Sequence, residues 1–235
     1  MKFRNIILYH LIFISILQTM TAQEWTSFSE EVLLGRFAEA NRQLGDPEIS
    51  EQRVIFMGNS ITEGWPQSHP SFWKEHPNFI NRGVSGQTTP QMLLRFRTDV
   101  IALKPKIVVI LAGTNDIAGN TGDTSIDTIA NNIFSMAELA KFHGIKVIIC
   151  SILPVFDYPW KPGLAPAQTI IDINTLLKRY ADRNGHYYLD YHSKMKNEKN
   201  GLIDAYTTDG VHITTKGYKV MDKSLSPIIE QLVKN

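Results

Sequence analysis

The fold of this 235-residue chain is decided by the stretch Arg53–Val54–Ile55–Phe56–Met57–Gly58–Asn59–Ser60–Ile61–Thr62. Its first half is largely apolar and stops at Gly58, and a serine follows two positions later. An apolar run cut short by glycine predicts a buried strand that ends in a tight turn at the rim of a sheet. Ser60 in such a turn is either a helix cap or a nucleophile, and residues elsewhere in the chain decide between the two.

Further short apolar runs follow along the chain, and longer segments with helical periodicity separate them. The predicted strands are Arg53–Met57, Phe79–Asn81, Lys106–Leu111, Lys146–Ser151 and His186–Asp190. The predicted helices are Ser27–Gln43, Gln91–Ala102, Thr124–Phe142, Ala167–Asn184 and Lys216–Val233. Strands that alternate with helices predict an α/β sandwich on a parallel sheet of five strands. No repeat or linker interrupts residues 23–235, so we expect a single domain there.

The first 22 residues have the pattern of a signal peptide. Lys2 and Arg4 precede the apolar segment Ile6–Leu17, and Thr19–Ala22 offers a cleavage site. The apolar segment is short for a spanning helix, and the rest of the chain has no longer run. We therefore expect export to the periplasm or the medium, with no membrane insertion after cleavage; an uncleaved anchor is the alternative.

Charge and cysteine content narrow the function classes. The chain has 24 basic and 23 acidic residues, and removal of residues 1–22 leaves 22 basic against 23 acidic. This balance does not favour nucleic acid or an anionic membrane as a partner. Cys150 is the single cysteine and lies in an apolar run, so a buried, inert thiol is expected. The histidines lack the spacing of metal ligands, and we predict neither a metal nor another cofactor; the oligomeric state is left open.

Polar residues follow other apolar runs, and they can act together with Ser60. The carboxyl ends of parallel strands meet at one edge of a sheet, where ligands bind. A serine hydroxyl needs a base, which His212 can supply, and Asp209 can orient that base. An attacked carbonyl also needs donors for its developing oxyanion. The backbone N–H groups of Ser60 and Gly83 and the side-chain amide of Asn115 can provide them.

Four blocks resemble those of the SGNH hydrolases, the group that includes the GDSL-type esterases and lipases. They are Gly58–Thr62, Asn81–Gly83, Gly113–Asp116 and Asp209–His212, in the family's order. The resemblance implies a flavodoxin-like three-layer α/β/α sandwich and metal-independent ester hydrolysis. It implies Ser60 as nucleophile, His212 as base, Asp209 as its partner, and an oxyanion hole of Ser60, Gly83 and Asn115.

The sequence around Ser60 does not match two other motifs, the nucleophile elbow and the phosphate-binding loop. The nucleophile elbow of α/β-hydrolases is Gly-x-Ser-x-Gly, and here Thr62 occupies the position of the second glycine. A phosphate-binding loop between Gly58 and Gly64 would need a following Gly-Lys-Ser/Thr, which is missing.

Five further residues are candidates for substrate binding: Asn59, Arg82, Gln87, Asp157 and Trp160. Asn59 stands where the family commonly has aspartate and should still shape the turn through hydrogen bonds. Arg82 and Gln87 either contact substrate or stabilise their loop. Trp160 either stacks on a sugar or packs within a proline-rich loop.

Asp116 is expected to have a structural role, because its carboxylate would repel an oxyanion. The loops after the predicted strands are rich in Asn, Thr, Gly, Asp and Trp rather than in apolar residues. We therefore expect a small-molecule or glycan ester as substrate, with an acetyl group on a carbohydrate favoured by resemblance to the acetylhydrolase branch of the family. The alternatives are a lysophospholipase or thioesterase for longer acyl chains, and a glycan-binding protein without turnover.

Overall fold

A computed structural model describes residues 33–234 of the chain. The predicted signal peptide, 1–22, and the first part of the predicted helix Ser27–Gln43 lie outside the described residues. The part of that helix that lies within residues 33–234 is the short α1, Ala38–Leu44.

Five parallel strands form the central sheet, in the spatial order β2-β1-β3-β4-β5. They are β1 (Val54–Gly58), β2 (Phe79–Gly83), β3 (Ile107–Leu111), β4 (Lys146–Cys150) and β5 (Tyr187–Leu189). This is the order of flavodoxin-like sheets, so the predicted fold class is confirmed. All residues of β1 and β3 are buried, as expected of strands that are covered on both faces.

Helices cover both faces of the sheet and enclose two apolar cores. One face packs against α5 (Thr89–Asp99), α7 (Ile126–Phe142) and α8 (Ala167–Asn184). The other packs against α2 (Ser60–Glu63), α3 (Trp65–Ser68), α4 (Pro70–Glu75), α9 (His192–Met195) and α10 (Thr215–Lys234). The short α6 (Thr114–Ile117) follows β3 directly. Two 3₁₀ turns, Ile101–Leu103 and Asp204–Tyr206, complete the described elements.

Some boundaries differ from the predicted ones for local reasons. Helix α5 begins earlier than predicted, because Thr88 and Gln91 form a reciprocal capping box that satisfies two helix-end N–H groups. Strand β2 extends to Gly83, because its last residue pairs with Gly58 at the end of β1. Helix α8 has the predicted bounds.

Two further findings concern membranes and the thiol. None of the helices formed by residues 33–234 has both the length and the apolar character needed to cross a bilayer. Cys150 is buried at the end of β4, and burial raises the pKa of its thiol far above the ordinary value. An uncharged, enclosed thiol of this kind is unreactive, in agreement with the prediction.

Candidate active site

The predicted polar blocks meet at the carboxyl edge of the sheet. Because β1 lies between β2 and β3, the turns that follow these three strands are neighbours. The turn after β1 carries Ser60, and α6 after β3 carries Asn115. The segment that carries Asp209 and His212 comes from far along the chain, just before α10.

Ser60, His212 and Asp209 form a continuous chain of polar contacts. Ser60 Oγ lies 3.1 Å from His212 Nε2, and His212 Nδ1 lies 2.7 Å from Asp209 Oδ2. With the Nδ1 proton held by the carboxylate, Nε2 is the nitrogen that can accept the serine proton. The structure therefore brings together the three residues that the sequence selected.

The turn 207–213 fixes this geometry through its own hydrogen bonds. Asp209 Oδ1 accepts the N–H groups of Val211 and His212, at 2.9 and 2.7 Å. Thr207 Oγ1 donates to the carbonyl of His212 at 2.8 Å and accepts the N–H of Gly210 at 2.9 Å. The two oxygens of one carboxylate thus hold the backbone and the imidazole at the same time.

Asp209 is kept in its charged form. Partial burial raises the pKa of Asp209, but hydrogen bonds from the His212 side chain and from the N–H groups of His212 and Val211 outweigh it, so the pKa is below its ordinary value. The carboxylate is therefore ionised at neutral pH and can stabilise a protonated imidazole.

Asn59 shapes the turn at Ser60 from within the protein. Its side chain is 1% exposed, and its Oδ1 accepts the N–H of Ile61 at 3.1 Å, which caps the short α2. Gly58 is required beside it, since an added Cβ would lie 2.0 Å from Thr62 Oγ1. Asn59 thus has the turn-shaping position expected of it and is enclosed rather than presented to a substrate.

Arg95 is a residue at this edge that the sequence analysis did not select. It is fully buried in α5, and its guanidinium donates to the carbonyls of Gly58 (3.2 Å) and Arg82 (2.8 Å) at the ends of β1 and β2. It also donates to Gln87 Oε1 at 2.6 Å and Asp99 Oδ2 at 3.1 Å. Burial lowers the pKa of Arg95, with Asp99 acting in the opposite direction. The i, i+4 spacing to Asp99 was the available signal, but surface pairs have the same spacing.

Gly83 does not offer the free donor that was expected. Its N–H already donates to Asn81 Oδ1 at 2.8 Å. An added Cβ at Gly83 would lie 2.2 Å from the backbone nitrogen of Glu63, so this glycine is needed for the close packing of β2 on α2. The N–H groups of Ser60 and Gly86, by contrast, have no acceptor within residues 33–234.

Gly86 lies in the loop after β2 with a φ of 77°, a backbone conformation that favours glycine. No atom lies within 4 Å of the place where its Cβ would be. Asn115 is 4% exposed, and its Nδ2 donates to the carbonyl of the next residue, Gln87, at 3.0 Å. Gly86 is therefore part of the loop to which the Asn115 side chain is hydrogen-bonded.

Asp116 has the structural role expected of it. Its carboxylate accepts the N–H and the hydroxyl of Thr89 at the start of α5, at 3.0 and 2.6 Å. Burial raises the pKa of Asp116 to about 6 despite these hydrogen bonds. The carboxylate holds α5 against α6 and does not face the serine hydroxyl.

Two of the candidate substrate contacts, Arg82 and Gln87, are buried and hydrogen-bonded to other residues of the protein. Arg82 is 5% exposed, donates to Asn41 Oδ1 from two nitrogens, and lies over the ring of Phe37 at 4.7 Å. Burial lowers the pKa of Arg82 to about 10. Gln87 is 3% exposed and is bound to Arg95. The alternative of loop stabilisation, considered for both residues, is thus the one that their contacts support.

The proline-rich loop after β4 places Trp160 beside the imidazole. Trp160 is 45% exposed, and its ring centroid lies 6.2 Å from that of His212. Tyr158 anchors the loop, because its hydroxyl bonds to the side chain and carbonyl of Thr114, both at 2.9 Å. Asp157 accepts three N–H groups of its own loop, from Tyr158, Gly163 and Leu164.

Two further properties of the site are its capacity to bind a metal ion and the groove beside it. Among residues 33–234, no group of three or more His, Cys, Asp or Glu residues is arranged to hold a metal ion. A groove of about 770 Å³ borders Asp209, and neither Ser60 nor His212 is among the residues that line it. It is lined by Phe156, Asp157, Asn197, Glu198, Lys199, Gly201, Leu202, Asp204, Thr207, Thr208, Asp209 and Gly210.

Residues 56–220 match the model of the GDSL-like lipase/acylhydrolase family. The structure is similar to that of a candidate acylhydrolase from Bacteroides fragilis, with 46% identity, a TM-score of 0.83, and coverage of 86% of this chain and 98% of that one. It is equally similar to a GDSL-like lipase from Bacteroides thetaiotaomicron, with 46% identity, a TM-score of 0.82, and coverage of 85% and 98%.

One of the curated relatives is named after its substrate. The acetylxylan esterase of Xylanibacter ruminicola is 24% identical over 88% of this chain and 48% of its own length. The chain thus spans about half of that enzyme, and about a third of another curated relative.

Proposed function

The chain belongs to the GDSL-like lipase/acylhydrolase family, whose members are carboxylic ester hydrolases, and we propose that it is an exported serine esterase that removes short acyl groups, acetyl above all, from a carbohydrate. The observation that carries the proposal is the contact chain from Ser60 Oγ through His212 to Asp209. Ser60 is the nucleophile, His212 the general base and acid, and Asp209 the group that orients and stabilises the imidazole.

The first half of the reaction forms an acyl-enzyme. His212 Nε2 takes the proton of Ser60 Oγ as that oxygen bonds to the ester carbonyl carbon, and the carbonyl oxygen becomes an oxyanion. The protonated imidazole, stabilised by Asp209, then gives its proton to the leaving alcohol oxygen as the C–O bond breaks. The alcohol departs, and the acyl group remains on Ser60.

The second half returns the enzyme to its starting state. His212 takes a proton from water as the water oxygen bonds to the acyl carbon. The second tetrahedral intermediate collapses, Ser60 Oγ regains its proton from the imidazole, and the carboxylic acid leaves.

The oxyanion in both halves needs preorganised donors. The N–H groups of Ser60 and Gly86 are without acceptors in the described chain, and Gly86 lies in open space beside Asn115. We therefore assign the oxyanion hole to Ser60, Gly86 and the Asn115 amide, with Gly86 in place of the originally predicted Gly83. Asn115 must turn its Nδ2 from the carbonyl of Gln87 toward the oxyanion, or share it between the two.

The substrate proposal has two supports. The acetylxylan esterase among the relatives acts on acetyl esters of a carbohydrate, according to its name. Trp160 lies beside His212 and narrows the space next to the imidazole. The remaining space is suited to a short acyl group, and the indole ring offers a surface on which a sugar ring can stack. A lysophospholipase or thioesterase for long acyl chains is the second enzyme candidate, and a glycan-binding protein without turnover is the candidate outside the enzymes.

The signal-peptide pattern of residues 1–22 supports export to the periplasm or the medium, without membrane insertion after cleavage.

Hydrolysis of p-nitrophenyl acetate, butyrate and octanoate by the mature protein tests the proposal. We expect the highest kcat/KM on acetate and a sharp loss beyond butyrate. Ser60→Ala should remove turnover, whereas Ser68→Ala, a matched change in the nearby α3, should not. Preference for octanoate would replace the acetyl assignment with the long-chain one. Glycan binding together with no serine-dependent hydrolysis of any ester would favour the binding protein.

A further inference from the structure

The groove that borders Asp209 has two walls. One wall is the loop after β4, with Phe156 and Asp157, and the other is the segment 197–210. Its volume of about 770 Å³ is within the range of ligand-binding clefts, roughly 300–1,000 Å³. It is far larger than an acetyl group needs. Because its end at Asp209 adjoins the imidazole, it lies where the alcohol part of an ester bound at Ser60 could extend.

The polar side chains of the groove divide into structural and unengaged groups. Asn197 uses its amide internally, accepting the N–H groups of Lys199 and Gly201 and donating to the carbonyl of Leu202. The carboxylates of Glu198 and Asp204, by contrast, have no partner within residues 33–234. Unengaged carboxylates at the edge of a groove are acceptors for ligand hydroxyl groups.

Phe156 provides an apolar surface in the same groove. It is 57% exposed, which is unusual for a phenylalanine. Gly201 packs directly on it from the opposite wall, since an added Cβ there would lie 2.8 Å from Phe156 Cβ and 3.3 Å from its nitrogen. This close packing fixes the base of the side chain. The Lys199 ammonium lies over the ring at 6.0 Å from its centroid, and the residue otherwise remains exposed to solvent. An aromatic ring next to hydroxyl acceptors suits a sugar, which has apolar C–H faces and hydroxyl groups around its rim.

The net negative charge of the groove favours neutral sugars over acidic ones and disfavours phospholipid headgroups. Four carboxylates line it, those of Asp157, Glu198, Asp204 and Asp209, against one ammonium, that of Lys199. A phosphate headgroup or a uronic acid would meet net repulsion there. A neutral sugar chain would not.

We propose that this groove binds the alcohol part of the substrate, and that this alcohol is a neutral oligosaccharide rather than a single sugar or a lipid headgroup. Phe156 supports a sugar ring, and Glu198 and Asp204 accept its hydroxyl groups. The inference rests on the proposed deacetylation of a carbohydrate and adds the site, the length and the charge of the glycan.

Binding without turnover tests the groove separately from the chemistry. Calorimetric titration of Ser60→Ala with acetate-free neutral β-linked xylo- or gluco-oligosaccharides should give saturable binding that strengthens with chain length. In that background Phe156→Ala should weaken binding roughly 10-fold. Phe142→Ala is the matched control, because Phe142 is 86% exposed at the end of α7, before the start of β4, whereas the groove is lined by the loop that follows the other end of β4. Equal affinities of the two variants would overturn the proposal.

Kinetics then connect the groove to the reaction. The ratio of kcat/KM on acetylated oligosaccharide to kcat/KM on p-nitrophenyl acetate should fall roughly 10-fold in Phe156→Ala and stay constant in Phe142→Ala. Asp204→Lys should improve inhibition by oligogalacturonides, which the wild-type groove should exclude. Tight inhibition of the wild type by oligogalacturonides would overturn the assignment of a neutral glycan.

The two proposals fail in different ways. Serine-dependent acetate hydrolysis with no oligosaccharide binding would leave the esterase standing and remove the groove inference. Phe156-dependent oligosaccharide binding with no ester hydrolysis would remove the esterase and leave the groove only as a glycan-binding site.

Discussion

The two halves of the proposed active site are built in opposite ways. The half around Ser60 is set into the sheet, and the polar side chains behind it, Asn59, Arg95 and Asn115, are at most 4% exposed. The half that carries the imidazole is a surface turn, where the side chains of His212 and Asp209 are 44% and 35% exposed. The first is connected to several strands, and the second is held mainly by hydrogen bonds within residues 207–213.

Because of this difference, substitutions in the two halves should affect the stability of the fold and the rate of the reaction differently. A buried polar group that loses its partner keeps its full desolvation cost, so changes behind Ser60 should weaken the fold as well as the reaction. A solvent-exposed turn loses little when one polar atom is replaced, because water takes over the contact. Changes at Asp209 or His212 should therefore reduce the rate and leave the fold intact.

The largest effect is expected for Asp209→Asn. The asparagine oxygen can still accept the N–H groups of Val211 and His212, but its amide cannot accept the proton on Nδ1, so the imidazole adopts the wrong tautomer. We expect kcat to fall by on the order of 10⁴-fold. The midpoint of thermal unfolding should change little.

Asp190→Asn provides the matched control for that substitution. Asp190 also accepts a backbone N–H three residues on, that of Ser193, and has no contact with the triad. It should leave kcat unchanged. A large drop in unfolding midpoint for Asp209→Asn, absent from Asp190→Asn, would contradict the separation of the two halves.

Arg95→Met tests the buried half. The change removes the guanidinium that pairs with the buried Asp99 carboxylate and donates to the carbonyls of Gly58 and Arg82, and only the Asn41 amide remains on Asp99. The free energy of unfolding should therefore fall by about 3–5 kcal/mol. Lys178→Met breaks an ion pair with Asp182 of the same i, i+4 spacing, but on the surface, and should cost less than about 1 kcal/mol. Urea unfolding of both variants measures the comparison, and similar losses would contradict it.

Asn115→Ala distinguishes oxyanion stabilisation from support of the loop. We expect kcat to fall by on the order of 10²–10³-fold with little change in KM. Asn120→Ala is the control, since Asn120 Nδ2 also donates to a carbonyl of the same loop, that of Gly86, at 3.0 Å. Steady-state kinetics that show equal losses in both variants would assign Asn115 to loop support alone.

The smallest effect concerns pH and Asp116. Because burial raises its folded-state pKa to about 6, above the ordinary value, the folded protein binds its proton more tightly than the unfolded chain does. The contribution of Asp116 to stability is thus fully present below about pH 4 and is lost as pH rises through about 6.

Denaturant unfolding across this pH range measures that contribution. The stability of the wild type relative to Asp116→Asn should decrease by on the order of 2–3 kcal/mol from pH 4 to pH 7. Asp182→Asn, an exposed control, should show no such trend. A constant difference between wild type and Asp116→Asn would refute the raised pKa.

Sequence patterns predicted the strands and the polar turns because both depend on local features. Short apolar runs identify the strands, and the polar residues that follow them must lie at the carboxyl edge of a parallel sheet. Arg95 was missed because an arginine in an amphipathic helix is normally exposed, and only the packing of α5 on the ends of β1 and β2 encloses it. Gly83 was assigned a free N–H because nothing in its neighbours revealed that Asn81 would bond to it.

Residue types and their order along the chain were enough to predict the family, the parallel five-stranded sheet, and the selection of Ser60, Asp209 and His212. The three-dimensional structure was needed to show which polar groups are already hydrogen-bonded and which are not. It showed that Arg82 and Gln87 are buried and hydrogen-bonded within the protein and that the N–H of Gly83 already donates to Asn81. It also formed the groove from segments about 40 residues or more apart. The reason is physical: a hydrogen bond or a cavity depends on distances between groups that sequence separation does not specify.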